Sequence, residues 1–316
     1  MNIPEEIRIV EIGPRDGFQS IKTWLPTEHK TAIVKMLLSA GVDSMEATSF
    51  ISPKAIEQMK DASEVVESVK GHADMDRIYA LVPNAKGAER AHEAGVGRIA
   101  VVISASEAHN LNNVRRTPEE SLQELKIIRR EFPSLKVKLS LGTAFGCPFQ
   151  GEVADSKLIF LIDGVLDLGI TDIALCDTVG VADPLQVIRR VGLLQRRYAA
   201  QDVDWGMHLH NTRGLAAANT FAALTLGINK FETAVGGLGG CPFAPGSSGN
   251  MATEDLLFMA ARMGLASKAD IGSVIRTAEY IRDVVGLPID SKINTQTRDT
   301  VTAAQGRADQ ARRPSS

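Results

Sequence analysis

Residues 98–141 read RIAVVISASEAHNLNNVRRTPEESLQELKIIRREFPSLKVKLSL, and the pattern of the whole chain can be worked outward from them. Arg98–Ile103 and Lys136–Leu141 are short runs rich in β-branched and aliphatic residues, the composition of strands. Between them, Thr117-Pro118-Glu119-Glu120 offers an N-cap threonine, a proline at the first helical position and a glutamate placed to complete a capping box. Two strands joined through a helix are too far apart in sequence for a hairpin, so they pair in parallel. The same alternation continues on both sides. Strands are predicted at Ile7–Ile12, Val42–Ala47, Arg77–Val82, Asp172–Cys176, Trp205–Leu209 and Phe231–Val235, which makes eight, each followed by a helix. Helical spacing agrees: Ile33, Met36, Leu37 and Ala40 fall on one face, and Ala55, Met59, Ala62, Val66 and Val69 trace a similar stripe. Asp183-Pro184 starts another helix, and Gly41 and Gly95 each end one.

Eight parallel strands close naturally into an α/β (β/α)8 TIM barrel. An open doubly wound sheet is the structural alternative, but it would usually carry a Gly-rich phosphate turn after the first strand. Gly13-Pro14-Arg15-Asp16-Gly17 is not such a turn. Beyond the eighth unit, an extra C-terminal helix is expected near Lys268–Val285, followed by a polar tail that ends ADQARRPSS. The chain therefore divides into a barrel with a helical extension over 1–290 and a partly disordered tail over 291–316.

Composition narrows the function. The 316 residues are 44% apolar and 23% charged, with a formal net charge of −3. A chain of this length hides roughly three quarters of its extended surface on folding, so it needs no disulfide or metal staple. No apolar run approaches the roughly 20 residues needed to span a bilayer. The near-balanced charge gives no broad attraction to nucleic acid or anionic lipid, so neither is expected as a partner. The three cysteines, Cys147, Cys176 and Cys241, cannot all pair and match no zinc spacing. The start MNIPEEIRIV lacks the apolar segment of a secretory leader, and a reduced, cytoplasmic protein is expected.

The chemically interesting residues gather just after the predicted strands, where a barrel builds its active site. His208 and His210 are two apart on a strand, so both side chains project into the barrel mouth and suggest a metal. His29, His72 and His92 lie away from strand ends, and His109 falls well beyond the fourth strand, so the remaining ligands should be oxygens. Asp16 is a candidate because the first and eighth strands adjoin in a closed barrel; the alternative is an ion pair with Arg15. Asn250 is a candidate amide oxygen; the alternative is an N-cap for a helix starting at Met251. One carboxylate, two imidazoles and an amide suit an octahedral Mg2+ or Mn2+; Zn2+ and Co2+ suit them less without a thiolate. Cys241, inside a glycine-rich loop, is a candidate acid or base, whereas Cys147 and Cys176 read as small buried hydrophobes. Arg15 could stabilise a developing oxyanion, with Glu46 and Asp177 steering protons or orienting the histidines.

These residues together resemble the 3-hydroxy-3-methylglutaryl-CoA lyase family, a group of metal-dependent TIM-barrel acyl-CoA lyases. The resemblance is carried by VEIGPRDGFQ, EATSFISPK, LVPN, SASE, GCPF, DTVGVADP, HLHNTRG and GGLGGCPFAPGSSGNMATEDL, and runs from about Val10 to Glu254. It implies that Asp16, His208, His210 and Asn250 hold the metal, that Arg15 and Cys241 are catalytic, and that Glu46, Asp177 and His208 support acid–base steps. Gln19, Ser49, Asn113 and Thr178 fall at positions for substrate contact, and Glu254 at one that steadies the ligand shell. Two motifs depart from the family pattern: HDTYG reads His210-Asn211-Thr212-Arg213-Gly214, and GCPYEG reads Gly146-Cys147-Pro148-Phe149-Gln150-Gly151. Arg213 and Phe149 are accordingly expected to retune the acyl pocket.

The resemblance further implies retro-Claisen cleavage of a 3-hydroxy-3-methylglutaryl-CoA-type thioester to acetyl-CoA and acetoacetate. CoA would enter as part of the substrate, with a divalent cation and no organic cofactor, in a homodimer like that of bacterial cytoplasmic relatives. The alternatives are a lyase for a related substrate such as citramalyl-CoA, a condensing synthase on the same scaffold, and a noncatalytic acyl-CoA-binding protein.

Overall fold

Eight strands, β1 (Arg8–Glu11), β2 (Ser44–Ser49), β3 (Ile78–Leu81), β4 (Arg98–Ser104), β5 (Lys136–Gly142), β6 (Asp172–Asp177), β7 (Asp204–Leu209) and β8 (Lys230–Thr233), pair in chain order. All neighbours are parallel, and β8 returns to β1 in register from Arg8 opposite Lys230 to Glu11 opposite Thr233. The sheet is therefore a closed barrel, which excludes the open alternative. The computed structural model describes residues 1–72, 74–240 and 249–295.

A helix follows every strand, and the caps read from the sequence are in place. Thr117 and Glu120 exchange both hydrogen bonds of a capping box, and the Asp183 side chain accepts from Gln186 N at the start of the helix Pro184–Arg197. Gly41 and Gly95 lie just past two helices with φ of +89° and +86°, a conformation that favours glycine. The expected stripe from Ala55 to Val69 is not one helix. An isolated 3-10 turn holds Glu57–Met59, and the α-helix covers only Ala62–Val69. The Gln58 and Asp61 side chains are drawn sideways: Gln58 bonds to the backbone of Ile21, Thr23 and Leu25, and Asp61 accepts from Thr27 Oγ1 and Lys30 Nζ.

After the helix Thr253–Met263, a further helix spans Ile271–Asp283. Residues 291–293 then fold back, with Ser291 Oγ and the N–H groups of Lys292 and Ile293 all donating to the Asp255 carboxylate. The expected tail beyond residue 295 lies outside the described residues.

Side chains two apart on a strand share a face, and here the inward face carries charges. Near the start of the strands, Lys230 Nζ donates to Asp172 Oδ1 and Asp204 Oδ2 at 2.7 Å. Gly206 makes room for it: a Cβ there would lie 2.7 Å from Lys230 Cε. One layer higher, Lys138 on β5 donates to Glu46 Oε1 on β2 at 2.7 Å and to Glu232 on β8. These strands are not neighbours, so both bonds cross the barrel interior. Burial works against the Lys138 ammonium, but Glu232 and Glu46 outweigh it and raise its pKa.

Removing one partner of such a network strands the others. Lys138→Met is expected to cost about 3–5 kcal/mol by leaving one oxygen of each of two buried carboxylates, Glu46 and Glu232, without the cation they share. Urea denaturation checks this, and a loss within about 0.5 kcal/mol, the scale of an ordinary surface change, would contradict the network.

Candidate metal centre

The chain turns sharply after β1. Gly13–Gly17 form one π-helical turn with Pro14 in its first positions, and the N–H groups of Arg15 and Asp16 both donate to Ile12 O, at 3.1 and 2.7 Å. The turn sets Arg15 and Asp16 side by side at the mouth. Arg15 Nε donates to Glu46 Oε2 and Nη1 to Asp16 Oδ1. Burial opposes its charge, yet Glu46 and Asp16 raise its pKa further, so Arg15 is a permanent cation.

Asp16, His208 and His210 bring ligand atoms within 4.8 Å of one another. The imidazole rings stack with centroids 5.1 Å apart and planes inclined by 22°. His208 Nδ1 shares a 2.9 Å hydrogen bond with Glu232 Oε2, which fixes the ring and leaves its other nitrogen for a ligand. Asp16 Oδ1 accepts from Gln19 Nε2 at 2.9 Å, and Oδ2 from Asn250 Nδ2 at 2.8 Å. Asn250 is not an N-cap, since the next helix starts at Thr253 behind Ala252. Its amide also donates to Leu238 O, and Gly239 allows this approach: a Cβ there would stand 2.6 Å from Asn250 Nδ2.

Protonation states match a cation site. Burial would raise the Asp16 carboxyl, but Arg15, His208, His210 and the Asn250 bond together hold it down at about 2. Burial and the neighbouring His208 lower His210 to about 4, so this imidazole is neutral at physiological pH. His208 moves the other way: burial lowers it, but the bond and charge of Glu232 dominate and raise it. Within the candidate ligand set, His210 Nδ1 and Asn250 Oδ1 are buried without a partner among the described residues. Each such atom costs about 1–3 kcal/mol unless something satisfies it. Both carry lone pairs, so a cation fits the donor set.

The candidate residues divide by position. Arg15, Asp16, Gln19, Asn113, Thr178, His208 and His210 line one cavity of about 340 Å3 at the mouth. Glu46 lies beneath Arg15, fully buried. Asp177 accepts from the N–H groups of Val181 and Ala182, and burial still raises its carboxyl. Ser49 Oγ donates to Leu81 O and accepts from Ile51 N, bracing the end of β2. Thr178 Oγ1 accepts from Thr143 N. Glu254 accepts from Gly236 N and Asn294 Nδ2 beneath the glycine loop, and burial pushes it up to about 8. Cys241 lies outside the described residues.

Three further residues bear on specificity. His109, set aside as too far from its strand, lines the cavity, because the helix Glu107–Val114 turns back over the mouth and Ser104 Oγ holds its ring at 2.8 Å. Arg213 and Phe149 do not line this cavity directly; the Phe149 ring centroid lies 6.2 Å from that of His109, which does, and Arg213 clamps the turn after β6 through the carbonyls of Val179 and Gly180. Sequence reasoning also passed over Glu232 and Lys138. Their signal was a charge within an otherwise apolar strand, which a closed barrel has to bury.

The fold is a parallel (β/α)8 barrel whose mouth brings together a carboxylate, two imidazoles and an amide, a donor set that a divalent cation fits. The chain belongs to the HMGL-like family, whose profile matches residues 6–281. It is 37% identical over 294 residues to a hydroxymethylglutaryl-CoA lyase of Bacillus subtilis, covering 92% of this chain and 97% of that protein. It is 35% identical over 302 residues to the (R)-citramalyl-CoA lyase of Chloroflexus aurantiacus, covering 92% and 94%. The structure of an HMG-CoA lyase from Acinetobacter baumannii in complex with coenzyme A and 3-methylmalate superposes with a TM-score of 0.86 at 37% identity, covering 94% of this chain and 96% of that one.

With Mn2+ as the probe ion, Asp16→Ala and His210→Ala are each expected to lose the bound ion that the parent protein retains on desalting. Atomic emission reads this, and a full equivalent in both variants would remove the ligand assignment. Ion and proton compete for His208, so apparent Mn2+ affinity should fall as pH drops through its raised pKa. Glu232→Gln removes the charge that raises it and should move the midpoint of that loss to lower pH, followed by electron paramagnetic resonance of free Mn2+. A midpoint that stays put would separate Glu232 from the site.

Proposed function

We propose that the protein is a carbon–carbon lyase that cleaves a 3-hydroxy-3-methylglutaryl-CoA-type thioester to acetyl-CoA and acetoacetate, with Mg2+ or Mn2+ as the ion. The observation that carries this is the convergence of Asp16, His208 and His210 beside Arg15 at one cavity, in a chain 37% identical to an enzyme of that name. Asp16, His208, His210 and Asn250 would hold the ion. When bound, a divalent cation supplies the positive charge that acidifies and orients the substrate's 3-hydroxyl.

The chain's own residues do the rest. The 3-hydroxyl proton passes to a base at the rim; with one His208 nitrogen on Glu232 and the other committed to the ion, that base is the Asp177 carboxylate, whose affinity for a proton burial raises. The C2–C3 bond breaks as the C3 oxygen becomes a ketone, and its electron pair moves into a thioester enolate. The Arg15 guanidinium, pinned by Glu46, faces that developing oxygen and binds it more strongly in the transition state than in the ground state. Cys241 is assigned the return of a proton to C2, with Gln19, Asn113 and Thr178 contacting the substrate from the cavity wall and Ser49 shaping its edge.

The related (R)-citramalyl-CoA lyase, 35% identical, supports a second substrate of the same class. No helix among the described residues is long and apolar enough to cross a membrane. We place the enzyme in the cytoplasm as a homodimer, on the strength of the family resemblance.

A panel of 3-hydroxyacyl-CoA thioesters with product identification tests the substrate. The expected result is fastest turnover of 3-hydroxy-3-methylglutaryl-CoA. Preference for citramalyl-CoA would install the second reading, and binding without turnover of any thioester would make the protein a noncatalytic acyl-CoA binder. Arg15→Met should lower kcat by about 100-fold or more, as loss of an oxyanion donor does, while the fold and bound ion persist. Unchanged kcat would remove Arg15 from the chemistry, and an unchanged rate in Cys241→Ser would do the same for the thiol.

A further inference from the structure

A second set of donor atoms overlaps the first. Cys176, His208 and Glu232 are buried, and each places a ligand atom within 4.8 Å of the others. The β-sheet register explains the grouping: Cys176 on β6 stands opposite His208 on β7, which stands opposite Glu232 on β8. Three side chains in one row across adjacent parallel strands project to the same face. Cys176 also lines the cavity at the mouth, so an ion entering there meets its sulfur. The thiol donates to Ala174 O at 3.6 Å, and because an S–H group is a weak donor this bond holds the sulfur only weakly.

The two sets differ in softness. Asp16, His210 and Asn250 add oxygens and an imidazole to His208, whereas Cys176 adds sulfur. Soft thiolate ligands favour Zn2+ and its heavier relative Cd2+ over Mg2+ and Mn2+. Charge in the row treats all divalent ions alike, and the donor atoms choose between them. Lys138 occupies one Glu232 oxygen and Arg15 stands nearby, while Glu46 and Glu232 supply the balancing negative charge. A hard ion would gain only a carboxylate already engaged on both oxygens, by Lys138 and by His208. A thiophilic ion gains a sulfur bond as well, with the thiol proton released to solvent.

We propose that Cys176, His208 and Glu232 form a site for thiophilic divalent cations, filled at the expense of the Asp16–His208–His210 site because His208 belongs to both. An ion there takes either the imidazole itself or the Glu232 carboxylate that holds it, and each route dismantles the first set. Zn2+ or Cd2+ then acts as an inhibitor of the lyase. The exclusion rests on the metal reading of Asp16 and the two histidines; the thiol site does not.

Cd2+ titrated into the metal-free, full-length protein provides the test through the ultraviolet charge-transfer band of a Cd–thiolate bond. The parent protein should develop the band up to one equivalent. Cys147→Ser and Cys241→Ser should keep it, and Cys176→Ala should lose it. With Mn2+ bound beforehand, Cd2+ should release it, read by electron paramagnetic resonance, and Cys176→Ala should need at least tenfold more Cd2+ for the same release. A band that survives in Cys176→Ala overturns the site. Mn2+ that stays bound while the band saturates overturns the exclusion. Failure of the untreated protein to bind Mn2+ contradicts the first reading instead, and the band alone then still decides the thiol site.

Discussion

The structure depends on a run of alternating charges held inside the barrel: Arg15 against Asp16 and Glu46, Glu46 against Lys138, Lys138 against Glu232, and Glu232 against His208. All are buried or nearly so, where an isolated charge would cost several kcal/mol. Each is tolerated because the next lies within hydrogen-bonding distance. Only closure of the sheet makes this possible, since β5 reaches β2 and β8 across the interior rather than along the sheet. The same run fixes the chemistry at the mouth. Its upper end holds Arg15 as a cation and its lower end sets the orientation of the His208 ring.

Against that satisfied interior, the rim is deliberately incomplete. His210 Nδ1 and Asn250 Oδ1 are buried with no partner among the described residues, while Asp16 stays ionised and His210 neutral across physiological pH. Three of the four donors thus need no proton transfer before they meet a cation. His208 is the exception, and its coupling to Glu232 ties ion binding to pH. The glycines at 236, 237 and 239 let the chain beside Asn250 pass close to Asp16, so the amide and carboxylate come from segments 234 residues apart in sequence.

Much of this was legible in the sequence, for local reasons. Strand runs, the Thr117 capping box and the two-residue spacing of His208 and His210 are short-range patterns, and each appears where it was read. The failures are long-range. The stripe from Ala55 to Val69 had helical spacing, but Gln58 found partners in the loop after β1 and Asp61 in the helix that follows it. His109 looked remote from β4 because a sequence does not reveal that the next helix folds back over the mouth. Lys138 and Glu232 carry no motif, and their meaning emerges only when eight strands close and leave charged side chains no route to water. Arg213 departs from the family motif as a new cation; in space it bonds to backbone carbonyls, and its charge still reaches Asp177.

The most direct test is a crystal structure of the protein grown with Mn2+, with data collected at the manganese absorption edge. The account predicts one anomalous peak at the barrel mouth, bonded to Asp16, His208, His210 and Asn250 Oδ1, with His208 Nδ1 still on Glu232. A peak elsewhere, or a bound ion that leaves Asn250 Oδ1 and His210 without a bond, would contradict it.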